Sequence, residues 1–418
     1  MSVVSAAERA NRAPLDWLNV LLADVQGGIG PFLAAFLTGA RHWDAGRAGL
    51  VLTIGGLATV LVRAPAGALT DATRAKPALI AAAAIAVAVA ATVMAMWPVF
   101  WSVAFAQVTN GVADAVFPAA IAAISLGIVG RARFTARVGR NEACNHAGNV
   151  ATAIAAGLAG SFLLPAGALW IAAALSLAVL WPLARLRAAD IDHEVARGAD
   201  DGDRGGQQRE GPRLLLRDRA LLAFVTAITL FHFANAAMLP LAGEELARSR
   251  PQAAALAMAA CIVAAQAAMV PMALLVGHRA DRWGRKPIFL IGFAALPLRG
   301  LLFTVAHAPW ALVTVQLLDG VGAGIFGALF PVVIADLTEG TGRYNLAQGV
   351  AATSWGLGAA LSNGVAGSIV DRLGYDAAFL TLAGCAGAAL ALFALAVPET
   401  RGRTRRRPVP VAARVPAG

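Results

Sequence analysis

Glu142, Asn145, His146 and Asn149 stand at i, i+3, i+4 and i+7, so a helix displays them as one polar stripe in an otherwise apolar stretch. A carboxylate and an imidazole on one face can pass protons to a solute, begin a metal site, or bond to a neighbouring helix. Metal ligation needs a third and fourth ligand from other segments, and no metal is assigned. Two further groups follow the same helical spacing: Gln107, Asn110 and Asp114 at i, i+3 and i+7, and His232 with Asn235 at i and i+3. Asp24 and Asp319 each stand alone in apolar sequence. Asp24 precedes Gly27, Gly28, Gly30 and Pro31, a run that frees backbone carbonyls to line a site or lets helices approach closely.

The solvent around these groups follows from composition. Hydrophobic residues make up 59% of the 418 and charged residues only 14%, far from the balance of a soluble domain. Such a chain belongs in a bilayer. A net charge of +10 then fits cytoplasmic loops and not nucleic acid. Cys144, Cys261 and Cys385 lie in apolar runs without paired spacing, so they are packing residues and not a disulfide or zinc framework. No phosphate-binding G-x-x-x-x-G-K-[ST] run occurs, which argues against nucleotide hydrolysis, and no cofactor is expected.

Apolar runs fall at about 15–38, 48–70, 77–97, 99–128, 138–163 and 166–185, and again at about 220–243, 252–278, 287–306, 309–336, 344–370 and 377–397. This predicts an all-α membrane protein of twelve transmembrane helices in two six-helix halves, 15–185 and 220–397. Residues 1–14 form a cytoplasmic segment, 186–219 a polar linker and 398–418 a basic tail. Cations concentrate in alternate loops, at Arg74 and Lys76, at Arg131, Arg133 and Arg137, and at Arg279 to Lys286. Both termini are therefore expected in the cytoplasm.

A shift of about 210 residues superposes the halves. GALTDATRAKP (67–77) falls on GHRADRWGRKP (277–287), and AQVTNGVADAVF (106–117) on VQLLDGVGAGIF (315–326). Gly139, Gly148 and Gly157 fall on Gly349, Gly358 and Gly367. The second copy of the stripe, GVAATSWGLGA (349–359), keeps the glycines and loses the Glu, the His and the Asn residues. Generic helix glue gives no reason for that asymmetry, which favours a solute or proton role for Glu142 and His146.

The segment Gly277-His-Arg-Ala-Asp281-Arg282-Trp-Gly284-Arg285-Lys286 resembles the G-x-L-A-D-R-x-G-R-K loop of the major facilitator superfamily. Its first-half copy keeps Gly67, Asp71 and Lys76, and Pro398-Glu-Thr-Arg-Gly402 is similar to the PETKG ending of sugar porters in that family. The resemblance covers essentially the whole chain. It implies a monomeric, proton-coupled transporter of a small solute in a bacterial inner membrane, with these loop residues acting in gating. Efflux is preferred to uptake on family frequency alone. The chain departs from the drug exporters, with Gln107 where their span 4 arginine stands and no proline in GNVATAIAAGLAG. The alternative is a membrane-embedded enzyme or a non-transporting receptor on the same scaffold, but no nucleophile–base pair supports the enzyme.

Arg63 lies near the end of its run, where an arginine can snorkel to the headgroups. Arg299 lies deeper, in a span that the resemblance places at the periphery, and is left between a paired role and an interfacial one.

Overall fold

Long alanine- and leucine-rich runs can satisfy their backbone in hydrocarbon only by forming helices or a closed barrel, and the computed structural model of the chain is almost wholly helical. It describes residues 6–23, 29–196, 218–338 and 344–401. Asp24 and most of the predicted linker and tail lie outside the described residues, as do the surroundings of Gly277 and the side chain of Asp281.

The first part of the chain forms α1 (Ala6–Leu22), α2 (Ile29–Ala35) with a π-helical turn at Phe36–Ala40, α3 (Ala45–Ala72), α4 (Lys76–Met96) and α5 (Phe100–Val129). It continues through α6 (Arg131–Phe162), α7 (Gly167–Ala178), α8 (Leu180–Arg185) and the short α9 (His193–Ala196). The second part forms α10 (Arg219–Ala236), α11 (Met238–Ser249), α12 (Pro251–Trp283), α13 (Arg285–Phe303), α14 (Pro309–Leu337), α15 (Tyr344–Leu373) and α16 (Tyr375–Ala396). Among the described residues, nine helical stretches are long and apolar enough to cross a bilayer. α6 and α15 are as long but more polar, because polar side chains on each turn inward to meet other helices.

Two boundaries differ from expectation. α1 begins at Ala6, ahead of the apolar run, because Asn11 is buried and anchored there. It donates to Asp190 at 2.8 Å and accepts from the Arg187 amide at 2.8 Å. The start of the predicted linker is likewise docked, with Ile191 and Ala196 buried and the Asp192 amide donating to Gly127 at 3.1 Å.

Buried apolar residues from 220 to 397 build one large core, joined by a few side chains from α2, α3, α6 and α7. Those from 15 to 196 build separate cores. Small residues let the helices touch, as membrane packing requires. A Cβ at Gly157 would meet Ala259 of α12, and its repeat partner Gly367 would meet Ala45 of α3. Gly148 faces the Val20 carbonyl of α1, and Gly358 the Thr229 carbonyl of α10. The glycines matched by the repeat therefore perform matched packing roles.

Two seams join the first-part helices to the second. In one, α3 runs antiparallel to α15, from Gly46 beside Asp371 to Val60 beside Gly356. In the other, α6 runs antiparallel to α12, from Ser161 beside Leu256 to His146 beside Gln266. Both are closed at the end of the bundle away from Ala6 and Arg401, here the far end. Toward the near end, where Ala6 and Arg401 lie, Gly67, Gly139 and Gly349 face open space.

Candidate functional site

A cavity of about 470 Å³ lies between the seams, lined by α2, α3, α5, α10, α11, α13, α14 and α15. Its first wall is the α5 stripe. Gln107, Asn110 and Asp114 line the cavity, and Asn110 Nδ2 donates to Gln107 Oε1 at 3.1 Å. Gly111 lets α5 lie directly on α3 at the Gly55 carbonyl, which brings Asp114 to the same wall as Arg63 and Thr59. The opposite wall is built around Arg299, whose guanidinium is ion-paired with Asp319 and donates to the Asn235 carbonyl at 3.3 Å. Gln316 donates to the other Asp319 oxygen at 3.0 Å. Trp355 and Asn363 of α15 complete the lining.

A smaller cavity of about 100 Å³ shares Asn235, Arg299 and Asp319 with the first and reaches His232 and Phe326. His232 Nδ1 lies 2.9 Å from the Ile228 carbonyl. That carbonyl can only accept, so Nδ1 carries the proton, and in the neutral ring Nε2 is left as an acceptor. The ring is held between Trp355 and Phe326, with centroids at 4.4 and 4.5 Å.

Of the residues expected from the sequence, Gln107, Asn110, Asp114, Asn235 and Asp319 meet at the main cavity, and His232 adjoins it. Glu142, Asn145, His146 and Asn149 do not line it. Glu142 is exposed, Asn149 donates to Asn145 at 3.1 Å, and His146 Nδ1 lies 3.0 Å from Gln266 on α12. Among the described residues no three His, Cys, Asp or Glu side chains converge as a metal site would need. Arg299 is only 1% exposed and belongs to the cavity, which resolves the open reading in favour of a paired role. Sequence reasoning did not assign Arg63, Thr59, Trp355 or Asn363 to the site. For Arg299 the signal was present, since an arginine deep in an apolar helix requires a carboxylate partner.

Outside the cavity, polar residues clamp helices within each part of the chain. Asp16 of α1 accepts from Arg137 at 2.8 Å and from Arg140 at 2.5 Å. Buried Asn141 accepts from Asn19 at 3.1 Å and Arg137 at 2.7 Å, and donates to Ser125 at 3.0 Å. Asn141→Leu leaves several of these groups unpaired at once, so thermal unfolding of the detergent-solubilised protein should show a loss of roughly 2–4 kcal/mol. A loss below roughly 0.5 kcal/mol would show that the network carries no stability.

The second clamp involves the loop whose residues were predicted to act in gating. Gly284, at φ +91°, lets α13 start directly after α12, and Glu399 accepts there from the Arg285 and Lys286 amides at 3.0 and 3.1 Å. Arg285 pairs with Asp336 at 2.7 Å, Lys286 donates to the Ala394 carbonyl at 2.6 Å, and the Arg282 carbonyl accepts from Arg401 at 2.8 Å. In the first-half copy of the loop, buried Lys76 donates to the Thr73 carbonyl at 2.8 Å, and Asp71 is exposed.

Burial pushes the Glu399 carboxyl up, but hydrogen bonds from the Arg401, Arg285, Lys286 and Thr400 amides outweigh it and hold the group below its ordinary range. Its contribution is therefore complete above the ordinary carboxylate range and is lost as pH falls through the lowered value. Glu399→Gln is expected to cost at most about 1 kcal/mol at neutral pH, since the group is solvent-screened. Parent and variant melting curves should converge in acid, and a gap unchanged below pH ~3 would contradict this.

Comparison with known proteins gives concordant results. A sequence model of the Major Facilitator Superfamily matches residues 17–270 and 220–416. An uncharacterized MFS-type transporter found in two strains of Mycobacterium tuberculosis is 47% identical over 414 residues, covering 97% of this chain and 98% of the relative. The nucleoside transporter NupG matches with a TM-score of 0.73 at 18% identity, over 92% of this chain and 98% of that one. A D-xylose-proton symporter gives 0.68 at 12% identity, over 94% of this chain and 99% of that one. A bacterial homologue of the human lysosomal transporter Spinster gives 0.71 at 13%, over 94% and 97%. At such identities the structures share a fold.

Proposed function

The chain belongs to the major facilitator superfamily, and on that premise we propose that it is a proton-coupled transporter of a small polar solute, working by alternating access between two six-helix halves. The halves are residues 15–185 and 220–397, together twelve spans, with both termini in the cytoplasm of a bacterial cell and the protein in its inner membrane. The near end carries Arg74, Lys76, Arg137, Arg140, Arg282 and Arg285, which supports that end as cytoplasmic. The conformation is then inward-open, with the far end closed toward the outside. Efflux is the direction we propose, on family frequency.

One observation carries the reading: the cavity is lined from both parts of the chain and holds an Arg299–Asp319 pair on the wall opposite Asp114. Ionisable groups inside a bilayer are retained where they serve a solute or ion path, and a cavity between two sets of helices is where a rocking transporter holds its solute. Asp319 and Asp114 are our proton carriers, with Gln107, Asn110, Asn235 and Asn363 as solute contacts.

The test uses purified protein in liposomes enclosing a pH-sensitive dye, challenged with toxic metals, drugs, sugars, nucleosides and organic acids. At least one solute should evoke proton movement that Asp319→Asn abolishes. Solute flux indifferent to the proton gradient would remove the coupling, and chemical conversion without vectorial movement would remove the transporter reading.

A further inference from the structure

Glu244 lies on α11 in the closed far end, one helical turn beyond Pro240 of the cavity lining and not itself part of that lining. It is 1% exposed, and its Oε2 atom is buried with no hydrogen-bond partner. The charged and titratable groups facing it are Arg248 on its own helix, Asp371 at the end of α15, and Tyr375 in the first turn of α16. The Tyr375 hydroxyl is also buried without a partner. The first-half surface covering this stretch, Ile29–Ala40, contains no ionisable residue, and Pro31 and Gly39 pack there against Gly243 and Ala247. Glu245 pairs with His307 at 3.4 Å on the rim, near Asp376.

Arg248 is the cation that faces Glu244, and both Asp371 and Arg248, which are exposed at the rim, are engaged across the seam. Asp371 accepts from the Gly46 amide at 2.9 Å, at the start of α3, where a helix favours an anion. Arg248 donates to the Trp43 carbonyl at 3.0 Å. Both bonds grip the same Trp43–Gly46 turn of the opposite half. Opening the far end must break both and admit water to Glu244. With the seam shut, Asp371 and Arg248 are engaged with that turn, and the buried Oε2 of Glu244 lies beside them without a hydrogen-bond partner.

We propose that Glu244 is a proton-binding site of the outer gate. A proton from outside water bonds to its carboxylate as the gate closes and returns to that water as the gate opens. This rests on the alternating-access reading above, and it adds a titratable group that the cavity does not contain. External acid then stabilises the closed gate. One proton separates the two states, so the open-to-closed ratio changes by up to about tenfold per pH unit across the range where Glu244 titrates.

The test uses the full chain in proteoliposomes, with Cys144, Cys261 and Cys385 changed to Ala and Ala359→Cys as a reporter on the cavity wall. A membrane-impermeant maleimide is applied from each side. Labelling is read at each pH as the outside-to-inside ratio, which cancels the thiol's own rise in reactivity with pH, and with Glu244 present this outside labelling should rise at least about fivefold between pH 5.5 and 7.5. Glu244→Gln should hold labelling low at both values. Asp371→Asn, with the latch released, should raise labelling overall yet keep its pH response. The proposal fails if Glu244→Gln retains the parent response. It also fails if Asp371→Asn loses that response, because the proton then belongs to Asp371; this arm stands even if Glu244→Gln does not fold. A reporter labelled from one side only in every variant would remove alternating access, and the gate with it.

Discussion

Asp319→Asn is expected to abolish solute-driven proton flux, by at least about 100-fold, and to lower stability by roughly 3 kcal/mol, because it leaves the buried Arg299 guanidinium without its counter-charge. A loss of flux alone would not distinguish a proton carrier from a structural pair. The double variant Arg299→Gln with Asp319→Asn separates them, since it removes both charges and leaves no buried ion unpaired. Thermal stability should return most of the way to the parent, while flux stays absent. If flux returns together with stability, the pair is structural and Asp114 becomes the remaining carboxylate of the cavity.

The second large effect is steric. A side chain at Gly49 would run into the Asn363 carbonyl of α15, and a backbone atom cannot rotate away as a side-chain tip can. Gly49→Leu should therefore penalise only the conformation in which α3 and α15 touch at this level. An overpacking cost of about 1–3 kcal/mol confined to one state shifts the balance between states by roughly 5- to 150-fold. Flux should fall with it, outside labelling of a cavity cysteine should rise, and Gly49→Ala should show a weaker form of both. Parent-like turnover in Gly49→Leu would mean that the seam never needs to close so tightly.

How far the sequence reaches depends on whether a property is local. The face of α5 that carries Gln107, Asn110 and Asp114 is set by helical spacing, and those residues do line the cavity. The stripe at Glu142 to Asn149 obeys the same spacing, yet His146 meets Gln266 of α12 and Glu142 is exposed. Spacing defines a face; the rotation of the helix in the bundle decides what the face meets. Arg299 was undecided because its helix was placed at the periphery, and only the three-dimensional reach of its side chain to Asp319 brings it inside. Glu244 gave no signal at all. It sits with Glu245 and Arg248 at the end of an apolar run, where charges ordinarily meet headgroups and water. The repeat was the most informative pattern, since matched glycines in the halves pack against matched helices.

The polar clamps at Asp16 and Glu399 have a mechanical consequence. Each fastens helices of its own part of the chain together at the near end, with Arg137 and Arg140 held in the first part and the start of α13 in the second. Deformation is thereby kept out of the halves and concentrated on the seams, where glycine and alanine bring backbones together with few bonds to release. On the proposed alternating-access reading such a surface acts as a bearing, on which each half would turn as a stiff arm with little friction.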